Sequence, residues 1–286
     1  MKSLYIRITL IMITFFGALC WGCEETIQLD LEQAPPVVVV DALLTDSMAY
    51  NHVRLSRSVD FYYEGRAPVI TNAEVQVQDN EGNTYPYFYQ EEDSLYRPSP
   101  PFAGEVGKVY TLNVTIDGQT ITATDTLRFI AAIDSLRWRE SESFFLEPKD
   151  DDYIYEVLTY AREPKETEDF YLFKFYRNDT IERFDSETGV FYSDDIGLGE
   201  EINDLSGPSL YSLEDTARFE MYSLTPTAFK YYFDLDQLIN SDGGMFSGIP
   251  ANPASNIEGA NAVGFFQVSA ISAEEIVVGD PETKRR

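Results

Sequence analysis

Residues 109–127 read VYTLNVTIDGQTITATDTL, two strand-like runs, Val109–Ile116 and Gln119–Leu127, on either side of Asp117-Gly118. Asp-Gly between two such runs is the strongest short hairpin signal, because a two-residue hairpin turn needs positive φ at its centre. Working back toward the start, Ala73, Val75 and Val77 alternate with Glu74, Gln76 and Gln78. They lead through the turn-forming Asp79-Asn80-Glu81-Gly82-Asn83 into Thr84–Gln90. Val53 and Leu55 alternate with polar neighbours, and Val37–Leu44 is β-branched and apolar but for Asp41, as a strand covered on both faces should be. About seven strands over residues 37–127 predict an Ig-like β-sandwich, without the Cys–Trp–Cys core of antibody domains.

Working forward, residues 128–279 predict a second strand-rich domain, with strands at Tyr153–Tyr160, Phe170–Tyr176, Arg218–Tyr222, Val263–Ala270 and Ile276–Val278. One helix is expected near residues 226–241. Thr225 supplies the cap and Pro226 the first turn. Phe229, Tyr232, Phe233, Leu235, Leu238 and Ile239 follow at helical spacing, and Asp242-Gly243-Gly244 ends the run. Phe246–Asn261 reads as a long loop and 280–286 as a tail. The fold class is therefore mainly β.

Residues 1–22 read as a lipoprotein signal peptide: Lys2 and Arg7 precede a 12-residue apolar run from Ile8 to Leu19. That run is shorter than the roughly 20 residues a membrane span needs. Leu19-Cys20-Trp21-Gly22-Cys23 resembles a lipobox, with Cys23 the acylated residue. Acyl chains contribute about 0.8 kcal/mol per buried methylene, enough together for a stable anchor. Glu24-Glu25 resembles the signal that sends lipoproteins on to the cell surface, and residues 23–36 form a tether stiffened by Ala34-Pro35-Pro36. The expected location is the outer membrane, lipid-anchored and surface-exposed.

Without the leader, 19 basic residues face 49 acidic ones, a net charge of −30 that repels nucleic acid and anionic lipid. At 44% hydrophobic and 14% aromatic, this is nonetheless a folding chain. One histidine and two cysteines exclude a Cys/His zinc site. His52 stands on an early strand with no nucleophile motif elsewhere, so it reads as an ordinary strand residue. Acid pairs such as Asp234 and Asp236, or Asp194 and Asp195, could serve a glycosidase, but 49 acids make pairs unavoidable and therefore uninformative. Asp79, Glu81 and Asn83 present oxygens at alternate positions, as some calcium loops do, yet Asp, Asn and Gly also simply make turns. Asp150-Asp151-Asp152 reads as a solvated loop. No cofactor is expected. The aromatic runs Tyr85, Tyr87, Phe88, Tyr89 and Phe170, Tyr171, Phe173, Phe175, Tyr176 are expected to fill two-sided cores, with a sugar platform the sharper alternative. Six Asp-Ser/Thr-apolar triplets, carrying Ser47, Ser94, Thr126, Ser135, Thr180 and Thr216, resemble the O-glycosylation site of exported Bacteroidota proteins; Ser47 and Ser94 lie in the connections expected to be most exposed. The competing reading is turn chemistry.

Taken together, Cys23-Glu24-Glu25, Val37–Leu44, Val53-Arg54-Leu55-Ser56-Arg57-Ser58-Val59, Asn72-Ala73-Glu74-Val75, Gly107–Leu112, Ile133-Asp134-Ser135-Leu136 and Ser255-Asn256-Ile257-Glu258-Gly259 resemble a Bacteroidota lipoprotein family catalogued as domain of unknown function 4249. The resemblance covers roughly residues 20–275. It implies a surface or outer-membrane lipoprotein often encoded beside a TonB-dependent receptor, with no established active site to transfer. The function it implies is that of a non-enzymatic accessory to such a receptor barrel in ligand capture or uptake. The alternative is a stand-alone surface binding module for glycan or protein, with a hydrolase a distant third.

Overall fold

The computed structural model describes residues 35–60, 63–141, 154–162, 167–182, 190–193, 201–239, 251–259 and 261–284. In chain order its strands are β1 (Val38–Thr45), β2 (His52–Arg57), β3 (Glu74–Asp79), β4 (Thr84–Gln90), β5 (Leu95–Pro98), β6 (Val109–Ile116), β7 (Gln119–Thr126), β8 (Ile133–Glu140) and β9 (Tyr155–Arg162). There follow β10 (Phe170–Arg177), β11 (Thr180–Glu182), β12 (Val190–Ser193), β13 (Glu201–Ser206), β14 (Thr216–Leu224), the helix α1 (Pro226–Ile239), β15 (Ile257–Gly259), β16 (Ala262–Ser269) and β17 (Ile271–Val277). The protein is mainly β with one helix among the described residues, the class its strand pattern predicts.

The Asp117-Gly118 turn forms as expected: both residues have positive φ, and β6 and β7 pair in register from Val109↔Thr126 to Ile116↔Gln119. The helix begins where its cap places it. The Thr225 hydroxyl accepts the Ala228 N–H at 3.2 Å, and Pro226 opens the first turn, where a missing N–H costs nothing.

Nine strands form one hydrogen-bonded path, β15-β7-β6-β3-β4-β5-β2-β1-β16, wrapped round a single core of inward residues such as Val40, Leu55, Val77, Leu112 and Val268. Two features differ from the Ig-like sandwich expected of residues 37–127. The strands belong to one sheet path, not two separate sheets. Two of them, β15 and β16, come from residues 257–269, so the line expected after residue 127 is crossed by the sheet itself. The physical reason lies in β1. With β2 on one edge only, β1 would leave its other edge unpaired, and β16 fills that edge in parallel from Val38↔Ala262 to Thr45↔Ser269. Gly264 permits that approach: its φ is +116°, and a Cβ there would stand 1.9 Å from the Val40 carbonyl oxygen. The two ends of the path also meet, where the buried Asp125 of β7 accepts the Val268 N–H of β16 at 3.0 Å.

The remaining strands make a five-stranded sheet (β11-β10-β14-β17, with β12 on β10) and a three-stranded sheet (β13-β9-β8). Leu136, Trp138 and Val157 of the smaller sheet share a core with Phe173, Phe175, Phe219 and Met221 of the larger. The opposite face of β10 and β14 carries Phe170, Leu172, Tyr222 and Leu224, covered by Ala228 of α1 and by Leu43 and Phe265. The aromatic run of β10 is thus a two-sided core, as expected. That of β4 is not: Tyr87 is buried, but Phe88 is 55% exposed, because an antiparallel sheet leaves one face to water.

Candidate functional site

Outward residues of β1, β2 and β16 face β10 and α1 across a cavity of about 400 Å³. Strand alternation sets its floor. Asp41 and Leu43 share one face of β1, with Phe265 and Gln267 opposite them on β16 and His52 opposite Leu43 on β2. Leu172 and Lys174 come from β10, and Tyr231, Tyr232 and Leu235 from the helix. The wall is aromatic, Tyr231 stacking on Phe265 at 4.8 Å between centroids. The Tyr232 hydroxyl donates to Gln267 Oε1 at 2.5 Å, and Gln267 Nε2 to Ser269 Oγ at 2.7 Å, which fixes the amide's orientation. His52 Nδ1 lies 2.7 Å from the Tyr50 carbonyl, which can only accept, so the proton sits on Nδ1. Burial pushes the imidazole pKa down against the opposing pull of that carbonyl and of Asp41, with Arg97 and Lys174 adding to the fall.

Beside the cavity lies a carboxylate that sequence reasoning missed. Glu220 is fully buried on β14. Tyr50 donates to its Oε1 at 3.0 Å, Tyr176 and Tyr222 to its Oε2 at 3.0 and 2.8 Å, and the Arg218 guanidinium to Oε1. The Arg218 guanidinium also lies over the Tyr176 ring at 4.0 Å, and Lys174, which lines the cavity, sits 4.5 Å from the Tyr222 centroid. Burial first, and the Glu220 charge second, push all three phenols up, so they remain protonated donors. The available signal was Arg218, Glu220 and Tyr222 at alternate positions, one face of one strand. Among 49 acids nothing else marked it.

Of the residues singled out from sequence, His52, Phe173, Tyr232, Leu235 and Ile239 line the cavity. Cys23, Glu24, Glu25, Asp150–Asp152, Asp194 and Asp195 lie outside the described residues. Asp234 is held by Lys230 at 2.8 Å and by the Ala254 N–H at 2.9 Å. In the Asp79–Asn83 loop Glu81 and Asn83 are exposed and the Asp79 carboxylate turns inward: it accepts the Glu81 N–H, the Asn83 N–H and the Asn83 side-chain amide at 3.0, 2.9 and 2.8 Å. Burial opposes ionisation there, but those bonds and Lys108 outweigh it and hold the carboxyl down to about 2. Asp79 closes a turn. Among the described residues no group of three or more His, Cys, Asp or Glu is placed to hold a metal ion.

The triplet aspartates are mostly occupied too. Asp46 accepts the Ile271 N–H at 2.9 Å, Asp93 the Leu95 N–H at 3.1 Å and Asp215 the Ser212 N–H at 2.8 Å, while Asp125 is buried. Thr180 is exposed, whereas Ser47, Ser94, Thr126, Ser135 and Thr216 are half-buried.

No curated protein shows a significant match to this chain. Two of the stretches singled out from sequence have structural roles: Val53 and Leu55 face the core, and Ser255-Asn256-Ile257 brings β15 onto β7. A family model matches residues 24–275, and on that match the chain belongs to the family described as domain of unknown function (DUF4249).

Proposed function

We propose that the protein is a Bacteroidota lipoprotein anchored in the outer membrane through acylated Cys23, and a non-enzymatic accessory to a TonB-dependent receptor barrel in ligand capture or uptake. The observation that carries the non-catalytic part is the saturation of Glu220. Its two oxygens already accept four donors, which leaves no lone pair for proton transfer. A cavity walled by aromatics with fixed polar groups is built to hold a ligand. The lipobox-like leader and the acidic pair after Cys23 support the address. Co-purification of the full acylated chain from membranes tests the reading: a stoichiometric barrel is expected, and its absence removes the accessory role. Cys23→Ala should leave the membrane fraction; if it still sediments after a high-pH wash, the anchor lies elsewhere.

The second reading, a stand-alone surface binding module, is favoured by one observation, the rows of amide and hydroxyl side chains that β3, β6 and β7 turn outward.

A further inference from the structure

The outward face of β3, β4, β6 and β7 departs from the rest of this acidic chain. Gln76 of β3 lies opposite Asn113 of β6, which lies opposite Thr122 of β7. One step along, Gln78 lies opposite Thr111 and Thr111 opposite Thr124, the two hydroxyls 3.1 Å apart. Two parallel rows of amide and hydroxyl groups therefore cross three strands. Within a row they repeat at about 4.8 Å, the spacing of the strands, which is on the scale of one pyranose unit. On β4 the same face presents Phe88, 55% exposed. Acids stand at the margins, Glu74 at the end of β3 and Glu258 opposite Thr122 on the short β15. In a chain with 49 acids and 21 bases, an ordinary solvated face would carry charge.

We propose that this face binds a neutral glycan, its hydroxyls taken by the rows Gln76–Asn113–Thr122 and Gln78–Thr111–Thr124 and one sugar ring stacked on Phe88. Amides and hydroxyls both donate and accept, which suits a ligand made of hydroxyls. The exposed ring offers a flat apolar surface to the C–H face of a sugar. The charge pattern selects the class: no cation on the rows answers an anionic glycan, and the field of the acidic chain repels one. A protein partner would be anchored by several apolar or arginine side chains; here the exposed apolar side chain is Phe88, and Arg97, opposite it on β5, is spent on Asp93 and on the Ala49 and Asn51 carbonyls. The inference rests on the stand-alone binding reading and is separable from the receptor role.

The full acylated protein, purified in detergent, can be run through native gels containing dextran, laminarin, xyloglucan or mannan, with alginate as the anionic control. At least one neutral polysaccharide should retard it and alginate should not. Phe88→Ala, and the double variant Gln76→Ala/Asn113→Ala, should each weaken retardation roughly ten-fold or more, as loss of a stacked ring or of two hydrogen-bonding side chains implies. Both should keep the parent urea midpoint, because these side chains face solvent. No retardation by any neutral polysaccharide, retardation by alginate alone, or variants that bind like the parent would each overturn the proposal. Barrel co-purification by Phe88→Ala reports on the receptor role alone.

Discussion

Asn256 and Phe266 pair as two strand residues do, except that one of them uses its side chain. Asn256 Oδ1 accepts the Phe266 N–H at 3.0 Å, and Asn256 Nδ2 donates to the Phe266 carbonyl at 2.8 Å. The same Nδ2 reaches the Thr124 carbonyl of β7 at 3.1 Å. One amide thus joins the two ends of the nine-stranded path. Asn256→Ala removes all three bonds and should lower stability by about 2 kcal/mol, read as a shift of the urea midpoint with unchanged slope. A variant within a few tenths of a kcal/mol of the parent would show that the ends are held by packing instead.

Asp125 stands at the same seam, accepting from Val268 and from the Thr225 hydroxyl at 2.8 Å. Burial, only partly offset by those bonds, pushes its carboxyl up from 3.8 to about 6. Its folded pKa exceeds the unfolded one, so its contribution is intact below about pH 4 and is lost as pH rises through 6. The loss is on the order of 3 kcal/mol. Urea midpoints between pH 4 and 7 should show that fall, and Asp125→Asn should flatten it. Asp79 acts in a different window: its depressed pKa stabilises above about 4 and is lost as pH drops toward 2.

Gly264→Ala places a methyl against the Val40 carbonyl at a φ of +116°. It should cost more than about 3 kcal/mol or prevent folding, because backbone stands in the way. Gly82→Ala, at φ +92° with nothing within 4 Å, should cost about 1 kcal/mol. Equal effects on the thermal midpoint would contradict the close approach of β1 and β16.

Chelation should leave the thermal midpoint in place, since the Asp79 oxygens are taken by protein donors. A fall of roughly ten degrees with EDTA, restored by calcium, would mean that the loop rearranges around a metal.

Because Asp46, Asp93, Asp125 and Asp215 are spent on the fold, Thr180 offers the most accessible of the triplets, following Asn178 and Asp179 at positive φ. Thr180→Ala should remove at least one sugar increment from the intact mass of native protein. A native mass equal to the acylated polypeptide returns every triplet to turn chemistry.

Local order was legible in the sequence. The Asp117-Gly118 hairpin, the Thr225-Pro226 helix start and the two-sided burial of Phe170–Phe175 all follow from neighbours in the chain. What could not be read was long-range partnership. Val37–Leu44 announces a buried strand, but nothing in it names Ala262–Ser269 as the strand paired along its edge. Ile257–Gly259 is too short to stand out from the loop around it. Glu220 looks like any acid until Tyr50 and Tyr176 arrive from other elements. The neutral rows of β3, β6 and β7 were visible as residue types, yet only register aligns them.

The parallel pairing of β1 with β16 also governs how the chain can be made. Leu44 and its neighbours leave the ribosome early, and the strand that covers their edge follows only with residues 262–269. Until then the first sheet has an open apolar edge, the kind of surface on which nascent chains aggregate or recruit chaperones. Contacts so distant in sequence also make for slow, late consolidation. The core of the first sheet is thus among the last parts of the molecule to become native, although its strands are among the first to be synthesised.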